Sequence, residues 1–203
     1  MFEGLFEGLV REVIVTDGGS DDATALIARE LGATWIEGPP GRGGQIARGC
    51  AKAAGPWVLI LHADTRLQQG WTGAVARHMR DAPEQAGYFW LRFDAKGAAP
   101  AFGARWANFR SRWFDLPYGD QGVLLPQALL EKTGGYPDLP LMEDVALADA
   151  MKGRLRPLEH IAETSAARYQ AQGWFRRGAR NLGCLLRYRL GADPKKLLER
   201  YRA

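Results

Sequence analysis

The chain has 203 residues, 46% of them hydrophobic and 25% charged, with two cysteines and a net charge of +4. That is enough for one domain with a proper core, and no stretch approaches the roughly 20 apolar residues of a membrane span. The opening Met1-Phe2-Glu3-Gly4-Leu5 carries neither the basic region nor the cleavage site of a signal peptide, so a cytoplasmic location is expected, with Cys50 and Cys184 as free thiols.

Charge is uneven. Residues 168–203 hold ten Lys/Arg against two Asp/Glu, whereas the first 167 hold 17 against 21. The basic character is therefore a C-terminal feature, suited to an anionic membrane surface or to phosphate, or simply to a solvated helix face. No nucleic-acid motif accompanies it.

In chain order, Glu12-Val13-Ile14-Val15-Thr16 predicts a strand. It ends in the turn Asp17-Gly18-Gly19-Ser20, where glycines permit a sharp bend and close approach of a ligand. A helix over 23–31 is stopped by Gly32, and 33–37 predicts a second strand. Strand, helix and strand in so short a span imply a parallel pair. A Gly-rich loop from Gly38 to Gln45 leads into a helix over 45–54. The run Trp57-Val58-Leu59-Ile60-Leu61 predicts a strand buried on both faces, with Asp64 beyond its carboxyl end, where open sheets place ligands. On its own, Asp64 serves equally well as a turn cap.

Helices over 71–80 and 102–114 flank a strand over 87–93. The stripe Trp106, Phe109 and Trp113 reads as core packing, with an acceptor-binding wall as the alternative. Tyr118-Gly119-Asp120-Gln121-Gly122 is a turn before a strand over 123–125 and a helix over 126–132. Glu143-Asp144 opens a helix to about Lys152, and a strand follows at 155–158. From Gly173 onward the chain is helical and basic, broken at 191–194. The expected architecture is α/β: a mostly parallel, Rossmann-like sheet flanked by helices over 1–170, with a basic helical extension over 171–203.

Four segments in this order resemble glycosyltransferase family 2, the nucleotide-sugar transferases of the GT-A fold. They are Val15-Thr16-Asp17-Gly18-Gly19-Ser20, Gly41-Arg42-Gly43-Gly44-Gln45, Leu61-His62-Ala63-Asp64-Thr65 and Leu141-Met142-Glu143-Asp144-Val145. The third is similar to the Asp-x-Asp motif with His62 in the first acidic position. The variant looks most like a small bacterial subgroup.

The resemblance implies an inverting, metal-dependent sugar transfer. Asp64 would hold Mg²⁺ or Mn²⁺ against a nucleoside diphosphate sugar. Asp17, Gly18, Gly19, Ser20, Arg42, Gln45, His62, Ala63 and Arg168 would bind that donor. His62 suits a ribose contact or a structural bond better than Mg²⁺. Asp144, with Glu143, would supply the catalytic base. Asp120 and Gln121 would meet the acceptor, a sugar or lipid-linked molecule, and His160 is a further metal-ligand candidate, although a lone His is more often structural. The basic tail segments 182–190 and 195–201 suit peripheral contact with an anionic bilayer. Two other functions stay open: a nucleotidyltransferase, and a non-catalytic nucleotide or membrane-surface binding module.

One departure matters. The family usually places a strand and a Pro-x-x-Asn-Glu-like turn before the Asp-Gly-Gly-Ser strand, and here only about ten residues precede it. Either Met1 is an internal start or the chain lacks part of its donor site. The expected consequences are an exposed flank on Val13-Ile14-Val15 and weak donor binding by residues 1–203.

Overall fold

The computed structural model describes residues 2–202. Met1, on which the idea of an internal start rests, lies outside them. The first half contains α1 (Phe2–Phe6), β1 (Ile14–Asp17), α2 (Thr24–Glu30), β2 (Thr34–Glu37), α3 (Arg42–Lys52), β3 (Trp57–Ile60), β4 (Thr65–Leu67), α4 (Trp71–Asp81) and β5 (Ala86–Phe93). The second half contains α5 (Ala98–Phe114), β6 (Val123–Pro126), α6 (Gln127–Lys132), α7 (Glu143–Ala150), β7 (Leu155–Thr164), α8 (Ala167–Gln172), α9 (Trp174–Arg189) and α10 (Pro194–Arg202), with a single 3-10 turn at Gly119–Gln121.

The α/β class is as the sequence predicts, but the strands fall into two sheets. β1 and β2 form a parallel pair in the register Ile14–Thr34 to Asp17–Glu37. The other five strands run in the order β3-β6-β5-β7-β4. Only β5 and β7 are parallel there. β6 opposes both its neighbours, and short β4 turns back against β7. The sheet is therefore mixed.

Among the described residues, β1 and β3 each keep one edge without a strand partner. This corrects the expectation for β3: Trp57, Val58, Leu59 and Ile60 are half-buried rather than enclosed, because β6 covers one edge alone. The apolar residues of α2 show the same openness, with Leu26, Ile27 and Leu31 exposed.

β7 runs six residues beyond its expected end. The polar Glu159 and His160 hide its continuation, and the pairing steps from Phe89–Leu158 to Trp90–Ile161 across an irregularity. Such a bulge re-aims a strand, and here the added length carries the chain to Thr164 at the site.

The main core gathers Tyr88, Leu125, Val145, Leu147 and Met151. Cys184 from α9 and Leu197 from α10 belong to the same cluster. Burial of one such leucine contributes roughly 1.5–3 kcal/mol. The basic C-terminal extension is thus packed onto the domain's core. Both cysteines are buried and free, and burial pushes the Cys50 thiol up to about 11, which suits an inert packing role.

The aromatic stripe of α5 does not serve the core. Phe102, Trp106, Phe109 and Trp113 are exposed. What α5 buries is its opposite side, Ala107, Arg110 and Ser111. Helical periodicity marks an apolar face without saying what faces it.

Candidate active site

At the end of β1, Asp17 builds its own turn. Its Oδ2 accepts from the backbone N–H groups of Gly19 and Ser20, both at 2.7 Å, and its Oδ1 accepts from the Ser20 hydroxyl at 2.6 Å. The Ser20 hydroxyl and backbone bonds hold the carboxyl below its ordinary range. Gly19 adopts φ 103°, which only glycine takes without strain. Gln45 fastens this turn to the Gly-rich loop: its Nε2 donates to Thr16 O at 3.3 Å and its Oε1 accepts from Gly41 N at 3.2 Å. Arg48, which sequence reasoning passed over, donates to the carbonyls of Asp17 and Pro39.

Beyond β3 the chain makes a four-residue turn, with Thr65 N donating to His62 O at 3.0 Å. Ala63 and Asp64 occupy its two corner positions and are exposed. Ser165 N donates to Asp64 O at 3.0 Å, tying this turn to the segment that carries Arg168. His62 packs over Gly119, where a Cβ would strike the imidazole ring. Burial and then the Arg42 charge hold His62 below its ordinary value, and its Nε2 is buried without a partner.

Glu143 and Asp144 open α7 and point to different places. The residue before them, Met142, holds φ 65° and ψ 20°, a left-handed conformation that costs a non-glycine residue about 1–2 kcal/mol. Such local strain is common where side chains are aimed for function. Asp144 faces a pocket of about 110 Å³ lined also by Arg42, His62, Asp64, Asp120 and Arg168. Its Oδ2 accepts from Gly119 N at 3.1 Å and its Oδ1 from Val145 N at 2.8 Å. The helix N-terminus and these two donors complement its negative charge.

Glu143 turns inward instead. It is fully buried, and Oε1 pairs with Arg42 Nη1 at 3.3 Å while Oε2 has no partner. Burial, then the neighbouring Asp144, pushes Glu143 up to about 7 against the pull of Arg42. For Arg42, burial opposes the charge, and Glu143 and Asp144 outweigh it. Glu143 thus holds Arg42 from below and does not itself line the pocket, contrary to the expectation that it shares the role of base with Asp144.

A raised carboxyl has a definite consequence for stability. Between its ordinary value near 4.5 and its folded value near 7 the folded state holds the extra proton, so stability falls as pH rises through that window. We expect the wild-type melting temperature to drop several degrees more than that of Glu143→Gln between pH 5 and pH 8. Equal pH dependence of the two proteins would assign the titration elsewhere.

Asp120 and Gln121 separate in the same way. Asp120 lines the pocket, where burial raises it to about 6 against the Arg110 charge, helped by Asp144 and Asp64, and its Oδ1 has no partner. Gln121 is fully buried. It accepts from Ser111 Oγ at 2.6 Å and donates to Phe89 O at 3.1 Å, so its amide pins the turn to the core and does not reach an acceptor. A Gly-flanked turn reads as exposed, and that misled the expectation. His160 lies against Gln68 O at 2.9 Å, outside the pocket, as a structural histidine would.

The pocket therefore unites Arg42, His62, Asp64, Asp120, Asp144 and Arg168. Asp17 to Ser20 and Gln45 form a neighbouring cluster joined to it through α3, whose first residue is Arg42. The sequence did not single out Tyr118, Asn181, Arg177 and Tyr201, which complete the walls from the 3-10 turn and the C-terminal helices. No motif marks them; a single arginine among many in a basic helix gives no signal.

Residues 4–120, more than half the chain, match the sequence profile of glycosyl transferase family 2. The chain belongs to this family. A TPR repeat-containing protein of Synechococcus elongatus is 35% identical over 115 residues, which is 54% of this chain and 28% of that protein. Among solved structures, S. aureus TarS superposes with a TM-score of 0.60 at 16% identity, over 76% of this chain and 31% of that one. The mannosyltransferase PcManGT of Pyrobaculum calidifontis gives 0.64 at 18% identity, over 96% and 61%. At these identities the likeness is one of fold, the GT-A fold, and this family 2 member spans less than two thirds of each of these relatives.

Proposed function

We propose that the chain is a metal-dependent, inverting glycosyltransferase that moves a sugar from a nucleoside diphosphate sugar to an acceptor hydroxyl. The observation that carries this reading is one pocket holding the Asp144 carboxylate, the Asp64 turn and the cations Arg42 and Arg168 together. Family membership supports it. The neighbours support the donor class: TarS is solved with UDP and with UDP-GlcNAc, and PcManGT with GDP-Man and Mn²⁺.

Among the described residues, no three His, Cys, Asp or Glu side chains gather as a metal cage. Asp64, with the unpartnered Asp120 Oδ1 in the same pocket, would hold Mg²⁺ or Mn²⁺, hard ions that favour carboxylate oxygens. When bound, such an ion supplies positive charge to a departing diphosphate. Arg42 and Arg168 add fixed charge on the same side. The exposed Gly19–Ser20 end of the Asp17 turn is where the nucleoside would lie. Asp144 accepts the proton of the acceptor hydroxyl, whose oxygen attacks the anomeric carbon opposite the leaving diphosphate and inverts it. No helix among the described residues is long and apolar enough to cross a membrane; peripheral contact at the inner membrane face belongs to the same proposal.

The test is nucleoside diphosphate release from a panel of nucleotide sugars in the presence of Mn²⁺. Release should vanish with a chelator and fall at least about 100-fold in Asp64→Ala. Release that survives the chelator would rule out metal dependence. Donor binding without release in any acceptor mixture would favour a binding module, and pyrophosphate release from a nucleoside triphosphate would favour a nucleotidyltransferase.

A further inference from the structure

Beside the catalytic pocket lies a second, much larger depression. It is a groove of about 1260 Å³ between α5 and α9, above the roughly 300–1,000 Å³ of an ordinary small-ligand site. Its walls carry Phe102, Trp106, Trp113, Trp174, Phe175 and Leu182. Phe102 is 68% exposed, Trp113 72% and Phe175 83%. So much open aromatic surface along one groove marks a binding site.

Three observations say what fills it. The groove runs into the catalytic pocket: Phe93, Tyr118, Asp120, Tyr169 and Asn181 line both. The groove itself carries no net charge, with Arg110, Lys152 and Arg189 against Asp115, Asp120 and Asp149 among its lining, which suits an uncharged hydrocarbon chain. Within the catalytic pocket itself, Arg177 is 8% exposed. Its Nη1 donates to Gln172 Oε1 at 2.9 Å and its Nη2 to the Tyr201 hydroxyl at 2.5 Å, and its Nε is buried without a partner. A buried guanidinium with an unused donor calls for an anion.

We infer that the acceptor is an anionic amphiphile: its hydrocarbon chain lies in the α5–α9 groove, its negative group sits at Arg177, and its hydroxyl reaches Asp144. This rests on the transferase reading and names its acceptor class. In the step so placed, the acceptor O–H proton passes to Asp144. The acceptor oxygen forms a bond to the anomeric carbon. The bond from that carbon to the diphosphate breaks, and the diphosphate departs with the electron pair. A chain in an apolar groove gains roughly fourfold in affinity for each buried CH₂, so chain and charge have separable effects.

Dodecyl phosphate, dodecyl maltoside and inorganic phosphate separate them, each titrated below any micelle concentration against the whole chain by calorimetry, without donor. Dodecyl phosphate should bind at least tenfold tighter than dodecyl maltoside and at least a hundredfold tighter than inorganic phosphate. Phe102→Ser/Trp113→Ser, at exposed positions, should weaken dodecyl phosphate at least tenfold with the melting temperature held within about 2 °C. Arg177→Gln should remove the preference for dodecyl phosphate over dodecyl maltoside. Equal binding of the two detergents by the wild type, equal binding of inorganic phosphate, or an unaffected groove variant would overturn the inference. So would a wild-type dimer that the groove variant dissociates without any change in dodecyl phosphate binding. Because donor is absent, this outcome is independent of nucleoside diphosphate release, which tests the transferase reading itself.

Discussion

Asp144→Asn should lower the rate of sugar transfer by about 10²–10⁴-fold, the range that positioned general bases supply, while donor affinity stays within about twofold. The substitution keeps the size of the side chain and removes its capacity to take a proton. It also leaves one backbone donor short, because the carboxylate now accepts from both Gly119 N and Val145 N, and an amide oxygen faces only one of them. That loss costs about 1 kcal/mol, or roughly 2–4 °C in a domain of this size. Steady-state kinetics, donor calorimetry and a melting curve on one preparation separate these effects. Activity within tenfold of wild type would remove Asp144 from the role of base.

Gly43→Ala should destabilise the chain by about 1–3 kcal/mol, whereas Gly73→Ala should stabilise it by up to about 1 kcal/mol. Both glycines lie inside helices, α3 and α4, where alanine is normally the better residue. Their surroundings reverse the sign. A Cβ on Gly43 would stand 2.6 Å from Leu139 N and 2.6 Å from Pro137 O, backbone atoms that cannot step aside. A Cβ on Gly73 would meet nothing within 4 Å. Forcing α3 off the 137–139 loop also draws Arg42 away from Glu143, so donor binding should weaken together with stability in Gly43→Ala and remain unchanged in Gly73→Ala. Thermal melts decide the first point. A melting temperature of Gly43→Ala at or above that of wild type would contradict the tight seat at Gly43.

The parts of the site that a sequence can carry are those written in one short segment. Asp17 with its glycines, the turn of Asp64 and the α7 start at Asp144 each combine a strand or helix boundary with a charged residue, and each stands where its segment predicts. What escaped depends on distant partners. Glu143 and Asp144 are neighbours in sequence, yet α7 buries one and presents the other, and only the packing of α3 against α7 decides which. Gln121 sits in a turn of polar and glycine residues that reads as exposed and is sealed by Ser111 and Phe89. Three-residue β4 is too short for a periodic signal. The stripe of α5 was legible as a stripe, and its exposure was not, because an apolar period is the same whether a core or a ligand lies opposite.

The break between the two sheets has a bearing on how the molecule moves. The turn at Asp17 rides on a ribbon of two strands, and Asp144 rides on the main core beside a sheet of five. A two-stranded ribbon is marginal by itself, and here α2 leaves much of its apolar surface to water. Opening of that ribbon is therefore a smaller event than global unfolding, as local openings of thinly packed segments are. A donor that touches both the Asp17 turn and the Asp64 pocket would join two units of unequal stability, and part of its binding energy would go into holding them in register.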